Sequence, residues 1–139
     1  MTERGVLDAW ALLAFLQREE PAAATVNELL VRAARNDSDL HTSMINMGEV
    51  YYRVGRSRGR DAADSVLTSL KGLPITIHAA DDDAVLAAAR WKMHHAISYA
   101  DAFAVSLSES LGAVLVTGDP ELLRLEGRVR LRRLYRQRP

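Results

Sequence analysis

Short apolar runs alternate with longer stretches of helical apolar periodicity along this chain. The runs that predict β-strands are Gly5 to Asp8, Leu40 to Thr42, Ile75 to His78, Ala113 to Val116 and the segment around Val129 and Leu131. The stretches that predict helices are Ala9 to Leu16, Pro21 to Arg35, Ser43 to Tyr51, Asp61 to Leu70, Ala84 to Met93, Ser98 to Leu111 and Glu121 to Leu125. This alternation predicts an α/β fold with a mainly parallel central sheet and helices on both faces.

The segment from Ser98 to Pro120 carries the clearest local signals. Ser98 stands where a helix N-terminus needs a side-chain acceptor, and Asp101 places a negative charge in the first turn. A short apolar strand follows and closes on a Gly-Asp-Pro turn. Since sites in open α/β sheets form at the carboxyl ends of strands, Asp119 is predicted to lie at a site, with Asp101 one helix upstream.

The composition of the chain predicts its number of domains, its contacts with nucleic acid and its location in the cell. A chain of 139 residues with 48% hydrophobic content can form one compact domain, predicted here to span residues 1–139. Lys and Arg together number 18, as do Asp and Glu, so any contact with nucleic acid must be local. Cysteine is absent and no apolar run reaches membrane length, so we expect a cytoplasmic protein with no membrane association.

Two further acids deserve comparison with Asp119. Asp8 ends the first predicted strand, and a role as helix N-cap alone would explain an aspartate there. However, Asp8 follows a strand just as Asp119 does. Glu49 lies inside a predicted helix between apolar or aromatic neighbours, whereas most glutamates in helices are solvated. In a parallel sheet, Asp8, Glu49, Asp101 and Asp119 could therefore converge at one edge.

Converging carboxylates repel one another, so such a cluster takes up protons or recruits a cation. Oxygen ligands alone, without Cys or well-spaced His, suit a hard ion such as Mg²⁺ or Mn²⁺. The expected chemistry is hydrolysis of a phosphodiester by activated water. By contrast, Asp81 to Asp83 are predicted to form the acidic first turn of a helix, and His94-His95 a helix end.

Two basic segments allow two interpretations each. Arg53, Arg56, Arg58 and Arg60 follow the Glu49 helix, either as favourable cations at a helix C-terminus or as contacts to phosphate or carboxylate. The partner of these arginines could be RNA or an acidic protein segment. The carboxyl-terminal segment either protects an edge strand or forms a basic rim for RNA phosphates. Its arginines are Arg124, Arg128, Arg130, Arg132, Arg133, Arg136 and Arg138.

The block YADAFAVSLSESLGAVLVTGDPEL resembles the carboxyl-terminal acidic block of PIN-domain ribonucleases, in particular VapC-type toxins. The resemblance extends to VLDAWALLAFL and INMGEVYYR, so it covers nearly the whole chain. It implies a PIN-like three-layer α/β/α fold and a supporting hydroxyl at Thr117. It also implies a site whose catalytic acids are Asp8, Glu49, Asp101 and Asp119, with the metal held by Asp8, Asp101 and Asp119.

The resemblance implies a function as well. VapC-type toxins are metal-dependent endoribonucleases that act on cellular RNA, usually dimerise, and are neutralised by a VapB-type antitoxin. If the basic segment after Glu49 is a binding surface, Arg53, Arg56 and Arg58 are predicted to contact the RNA or the antitoxin. One departure is Trp10, where the family usually has Ser or Thr. The role of Trp10 stays open, with core packing as one interpretation.

Two alternatives remain. Haloacid-dehalogenase phosphatases also place a nucleophilic Asp after the first strand, but they have a second acid two residues later, where this chain has Trp10. A non-catalytic RNA- or protein-binding domain could keep the same fold, although binding alone does not require four acids at one edge.

Overall fold

The computed structural model describes residues 2–137. Strands and helices alternate along nearly the whole of this range. The elements in chain order are β1 (Glu3–Leu7), α1 (Ala9–Leu16), α2 (Ala22–Ala34), β2 (Ser38–Ser43), α3 (Met44–Arg58), α4 (Arg60–Lys71), β3 (Ile75–His78), α5 (Asp82–His94), α6 (Tyr99–Leu111), β4 (Val114–Thr117), α7 (Pro120–Leu123) and β5 (Leu131–Arg133).

The strands form a sheet in the order β3-β2-β1-β4-β5, and every neighbouring pair is parallel. Side chains alternate between its faces, as the period of a strand requires. Val6 and Leu115 pack with α5, α6 and α7 on one face, whereas Leu7 and Val116 pack with α1 to α4 on the other. The predicted three-layer α/β/α fold is therefore confirmed.

The order of the strands places a switch point at the centre of the sheet. From β1 the chain adds β2 and then β3 on one side, and it returns through α5 and α6 to place β4 on the other side of β1. The carboxyl ends of β1 and β4 lie side by side, because Leu7 is opposite Val116 in the parallel register. Ligand sites of open α/β sheets form at such a point.

Most helix ends follow the side-chain chemistry that predicts them. The Ser98 hydroxyl accepts a hydrogen bond of 3.1 Å from the Asp101 N–H at the start of α6, and Gly112 ends that helix in the left-handed conformation at φ 58°. Asp81 caps α5, and α5 ends at His94. The interpretations of these residues as helix ends are thus confirmed.

The polar residues Asn36 to Asp39, between the second predicted helix and the strand at Leu40, predict a turn, and this prediction is wrong in its second half. Ser38 and Asp39 belong to β2, where they pair with Glu3 and Arg4 of β1. The buried Ser38 hydroxyl donates a 2.9 Å hydrogen bond to the Leu29 carbonyl, which satisfies its polarity inside the fold. Pairing with a neighbouring strand therefore overrides the local preference of polar residues for a turn.

At the carboxyl end, the predicted edge strand exists but is short, with Val129 just ahead of its first residue. Arg138 lies outside the described residues. Among the described helices, none combines the length and apolar character that a membrane crossing needs.

Candidate metal centre

Asp8 is placed by two local events, the end of β1 and the start of α1. Its Oδ1 accepts a 2.9 Å hydrogen bond from the Ala11 N–H, as a helix N-cap does. Its Oδ2 accepts a 2.5 Å hydrogen bond from the Thr117 hydroxyl at the end of β4. The side chain is completely buried, and these two hydrogen bonds orient its carboxylate at the end of β1.

Asp119 occupies the equivalent position after β4. Its Oδ1 accepts a 2.9 Å hydrogen bond from the Glu121 N–H and so caps the short helix α7. Its own backbone N–H donates to the Thr117 Oγ1 at 3.0 Å. One buried hydroxyl therefore contacts both strand ends, since Thr117 donates to Asp8 and accepts from Asp119. The family resemblance implied a supporting hydroxyl at Thr117, and that role stays a prediction.

Asp101 reaches the same place from the first turn of α6. Because Ser98 caps this helix, the Asp101 carboxylate is not needed as a cap and faces inward, where the residue is 6% exposed. The Asn46 side-chain amide of α3 donates a 3.1 Å hydrogen bond to the Ala100 carbonyl. This bond ties the beginning of α6 to α3 and so positions Asp101 over the strand ends.

The three aspartates converge although they are far apart in sequence. One carboxylate oxygen from each of Asp8, Asp101 and Asp119 lies within 4.8 Å of the other two. Ligand oxygens of an octahedral Mg²⁺ are about 3 to 4 Å apart, given bond lengths of about 2.1 Å. Small side-chain rotations would thus bring all three onto one ion, and the oxygen-only ligand set suits a hard cation.

Burial and mutual repulsion make this cluster electrostatically unfavourable without a cation. Burial is the main cause that raises the pKa of Asp8 to about 7. The hydrogen bonds from Thr117 and Ala11 lower this pKa, and the charges of Asp119 and Glu49 raise it further. Burial is also the main cause that raises the pKa of Asp101 to about 8, and the charges of Asp119 and Asp8 add to the rise. A divalent ion would remove both penalties and release the bound protons.

Glu49 borders the cluster from the middle of α3. Burial raises its pKa, the charge of Arg53 lowers it, and the charge of Asp119 raises it further. Its Oε2 lies 3.5 Å from the Arg53 Nε one helical turn later. Glu49 is therefore close enough to interact electrostatically with Asp8 and Asp119, and Arg53 holds its side chain at the edge of the cluster.

One acid that the sequence reasoning treated only as a helix residue also belongs to this neighbourhood. The Glu121 side chain lies close to the Asp101 carboxyl and contributes to the rise in its pKa, after burial and the charges of Asp119 and Asp8. Glu121 follows Asp119 and Pro120 in the first turn of α7, where an acid is normally explained by the helix dipole. Stabilisation of the helix dipole and membership of the acid cluster are two different roles for Glu121. Only the packing of α6 near this turn distinguishes them.

The arginines predicted to contact RNA or antitoxin lie in the second half of α3. Arg53 and Arg58 line a cleft together with Trp10. Arg56 lies over the ring of the exposed Tyr52, with 5.1 Å between its guanidinium carbon and the ring centroid. The binding role of these three residues stays a prediction.

Trp10 is the second residue of α1 and follows Asp8 by two positions. It packs partly against the core, and its ring lies against the backbone of Gly118, where an added Cβ would come within 2.6 Å of three indole carbons. The indole thus packs directly behind the turn that carries Asp119. No acid occupies the position that the phosphatase alternative requires.

A family model and a curated relative each match most of this chain. The model of the family described as PIN domain matches residues 5–128. Ribonuclease VapC3 of Mycobacterium tuberculosis is 30% identical over 127 residues, which cover 88% of this chain and 87% of the relative.

Solved structures share the fold at low sequence identity. VapC20 of Mycobacterium tuberculosis, described as a sarcin-ricin loop cleaving toxin, aligns with a TM-score of 0.70 at 16% identity, over 88% of this chain and 95% of that one. VapBC2 of Rickettsia felis, bound to a DNA fragment from its promoter, aligns with a TM-score of 0.69 at 17% identity, over 94% and 98% of the two chains.

Proposed function

The chain belongs to the PIN-domain family, among its VapC-type members, and on that premise we propose that it is a metal-dependent endoribonuclease, the toxin of a type II toxin–antitoxin pair. The observation that carries the proposal is the convergence of Asp8, Asp101 and Asp119 within 4.8 Å at the switch point of the sheet. A PIN-domain relative named as a ribonuclease supports RNA as the substrate.

Asp8, Asp101 and Asp119 would hold the ion, which is Mg²⁺ or Mn²⁺. When bound, it supplies Lewis-acid stabilisation of the phosphodiester and activation of water for attack. Thr117 keeps the Asp8 carboxylate oriented through its hydroxyl, and the Glu121 N–H does the same for Asp119. These contacts fix the ligand oxygens before substrate arrives, which lowers the cost of assembling the site.

Glu49 is the residue best suited to move a proton. It lies beside the cluster, it is half-buried, and its pKa is raised mainly by burial. In the proposed reaction a water oxygen bonds to phosphorus, its proton passes to a carboxylate, and the bond from phosphorus to the leaving oxygen breaks. The products are a phosphomonoester end and a hydroxyl end.

The partners follow from the same family. We propose a VapB-type antitoxin that covers the acids Asp8, Asp101 and Asp119, as supported by structural neighbours that are VapBC complexes. Arg53, Arg56 and Arg58 are exposed along α3, so they are accessible to RNA or antitoxin. We also propose that the toxin is a homodimer and that it acts in the cytoplasm.

The test is a cleavage assay with the purified protein on total RNA, titrated with Mg²⁺ and Mn²⁺. We expect cleavage with either ion, none in excess EDTA, and none for the Asp119→Asn variant with intact circular dichroism. Full activity in EDTA would overturn the mechanism. A phosphorylated Asp8 after treatment with a phosphate ester, without RNA cleavage, would support the phosphatase alternative instead.

A further inference from the structure

A groove opens directly beside the metal centre, on the side of the molecule formed by α1, α7 and the carboxyl-terminal segment. Its volume is about 1080 Å³. We name it the Arg–aromatic groove after the residues that line it: Trp10, Arg124, Arg133, Tyr135 and Arg136. Small-molecule sites measure about 300 to 1,000 Å³, so the groove has room for more than one nucleotide.

The groove and the metal centre share a wall. Gly118 and Pro120 line the groove, and Asp119 lies between them in the sequence. Trp10 covers Gly118 so closely that any side chain at that position would collide with the indole. A polymer lying in the groove would therefore contact both sequence neighbours of the proposed ligand Asp119.

Two of the groove's arginines lie over aromatic rings. The guanidinium carbon of Arg136 is 5.3 Å from the centroid of the Trp10 ring, and that of Arg133 is 5.3 Å from the centroid of the Tyr135 ring. Tyr135 is 60% exposed, so much of its ring is accessible to a ligand. Such pairs present a flat stacking surface and a cation side by side.

The charge of the groove is positive although the chain as a whole is neutral. Its single acidic lining residue, Glu19, accepts from Arg136 at 3.3 Å. Within residues 2–137, neither Arg124 nor Arg133 has a carboxylate oxygen within 4.0 Å. Two arginines thus remain to meet an anionic ligand in the described part of the chain.

We propose that the Arg–aromatic groove binds the single-stranded RNA segment that leads away from the scissile phosphate. Single-stranded nucleic acid is bound by basic grooves in which bases stack on aromatic rings, and Arg planes add to the stack. An acidic peptide would match the arginines but would make no use of the Tyr135 ring. The assignment rests on the proposed function, because it names where that substrate lies.

The test measures RNA binding separately from cleavage. In the Asp119→Asn background, a short fluorescein-labelled single-stranded RNA is titrated at several salt concentrations with Mg²⁺ present. The double change Tyr135→Ala with Arg133→Gln is expected to weaken RNA binding about tenfold, the scale of one lost base stack. It should also reduce the salt slope by about 0.7, the value for one lost contact to a single-strand phosphate.

Matched variants separate the groove from general effects. Arg35→Gln removes the same charge at the far end of α2, and it should leave affinity and salt slope unchanged. Tyr135→Phe keeps the ring and should keep the affinity. Both changed groove residues are exposed, so circular dichroism should report an intact fold.

The outcomes distinguish the two proposals. Unchanged RNA affinity in the double variant overturns the groove assignment, whether or not the wild-type protein cleaves RNA. Loss of binding to an oligoglutamate probe without loss of RNA binding also overturns it, in favour of a protein-docking groove. Weakened RNA binding by the double variant, with a wild-type protein that binds but does not cleave RNA, supports the groove while the proposed activity fails.

Discussion

Asp8 and Asp81 show how one local device has two different outcomes. Each ends an extended segment and caps a helix, and the Oδ1 of each accepts a 2.9 Å hydrogen bond from the N–H three residues later. Asp8 follows the central strand β1 and is completely buried, whereas Asp81 follows the edge strand β3 and is exposed. The position of the preceding strand in the sheet therefore decides whether a capping aspartate joins a site.

The difference has a simple electrostatic cause. At the centre of the sheet, Asp119 from the neighbouring strand and Asp101 from α6 meet Asp8, and of the three only Asp119 is half-buried while the other two are buried. At the edge, Asp82 and Asp83 are as close to Asp81 in sequence as acids can be, but all three are exposed and solvent screens them. Acids that are consecutive in the sequence are thus weaker evidence for a metal site than acids at the ends of adjacent strands.

The strongest test of this comparison pairs Asp8→Asn with Asp81→Asn. We expect Asp8→Asn to lower RNA cleavage by more than about a hundredfold, since the loss of a ligand should exceed the 10- to 100-fold effect of an outer-shell partner. Asp81→Asn should cleave at the wild-type rate, because Asn caps helices about as well as Asp. Cleavage rates at saturating Mn²⁺ measure both, and equal rates would show that Asp8 only caps α1.

A smaller effect is expected when the contact between the two strand ends is removed. Thr117→Val keeps the shape of a completely buried residue but loses the hydroxyl that donates to Asp8 and accepts from the Asp119 N–H. We expect the affinity for Mn²⁺ to fall about 10- to 100-fold. Thr117→Ser should retain most of it. Calorimetric titration of Mn²⁺ measures both, and wild-type affinity in Thr117→Val would remove Thr117 from the site.

The third test uses pH. The pKa values of Asp8 and Asp101 are raised by folding to about 7 and about 8, so the folded protein binds more protons than the unfolded chain between about pH 4 and pH 8. Stability should therefore fall as pH rises through that window. We expect urea unfolding in EDTA to show a free energy of unfolding that falls by several kcal/mol, on the order of 5, between about pH 5 and pH 9.

Two variants again sharpen the comparison. Asp8→Asn should make the pH dependence shallower, and Asp81→Asn should leave it as in the wild type. Adding Mn²⁺ at about pH 9 should restore stability, because the ion binds the ionised ligands of the folded state. Stability that rises with pH in EDTA would contradict the raised pKa values.

Much of this protein can be predicted from local patterns. The alternation of strands and helices, the Ser98 cap and the acidic first turn after Asp81 each depend on residues a few positions apart, and such interactions are already encoded within one segment. Asp8 and Asp119 were identified by their places after strands, Asp101 and Glu49 by their places in helices, and all four by the resemblance of the chain to a family. The structure gathers three of them within 4.8 Å.

Other features depend on parts of the chain that are distant in sequence. Ser38 and Asp39 join a strand because β1 pairs with them, and Glu121 reaches Asp101 because α6 packs on the turn after β4. Trp10 lies against Gly118, 108 positions further along the chain. The sequence by itself determined which residues cap, turn and pair locally, since those hydrogen bonds close over a few residues. Only the tertiary structure decided which carboxylates are buried together, because burial and repulsion act between strands whose neighbours are set by the order of the sheet.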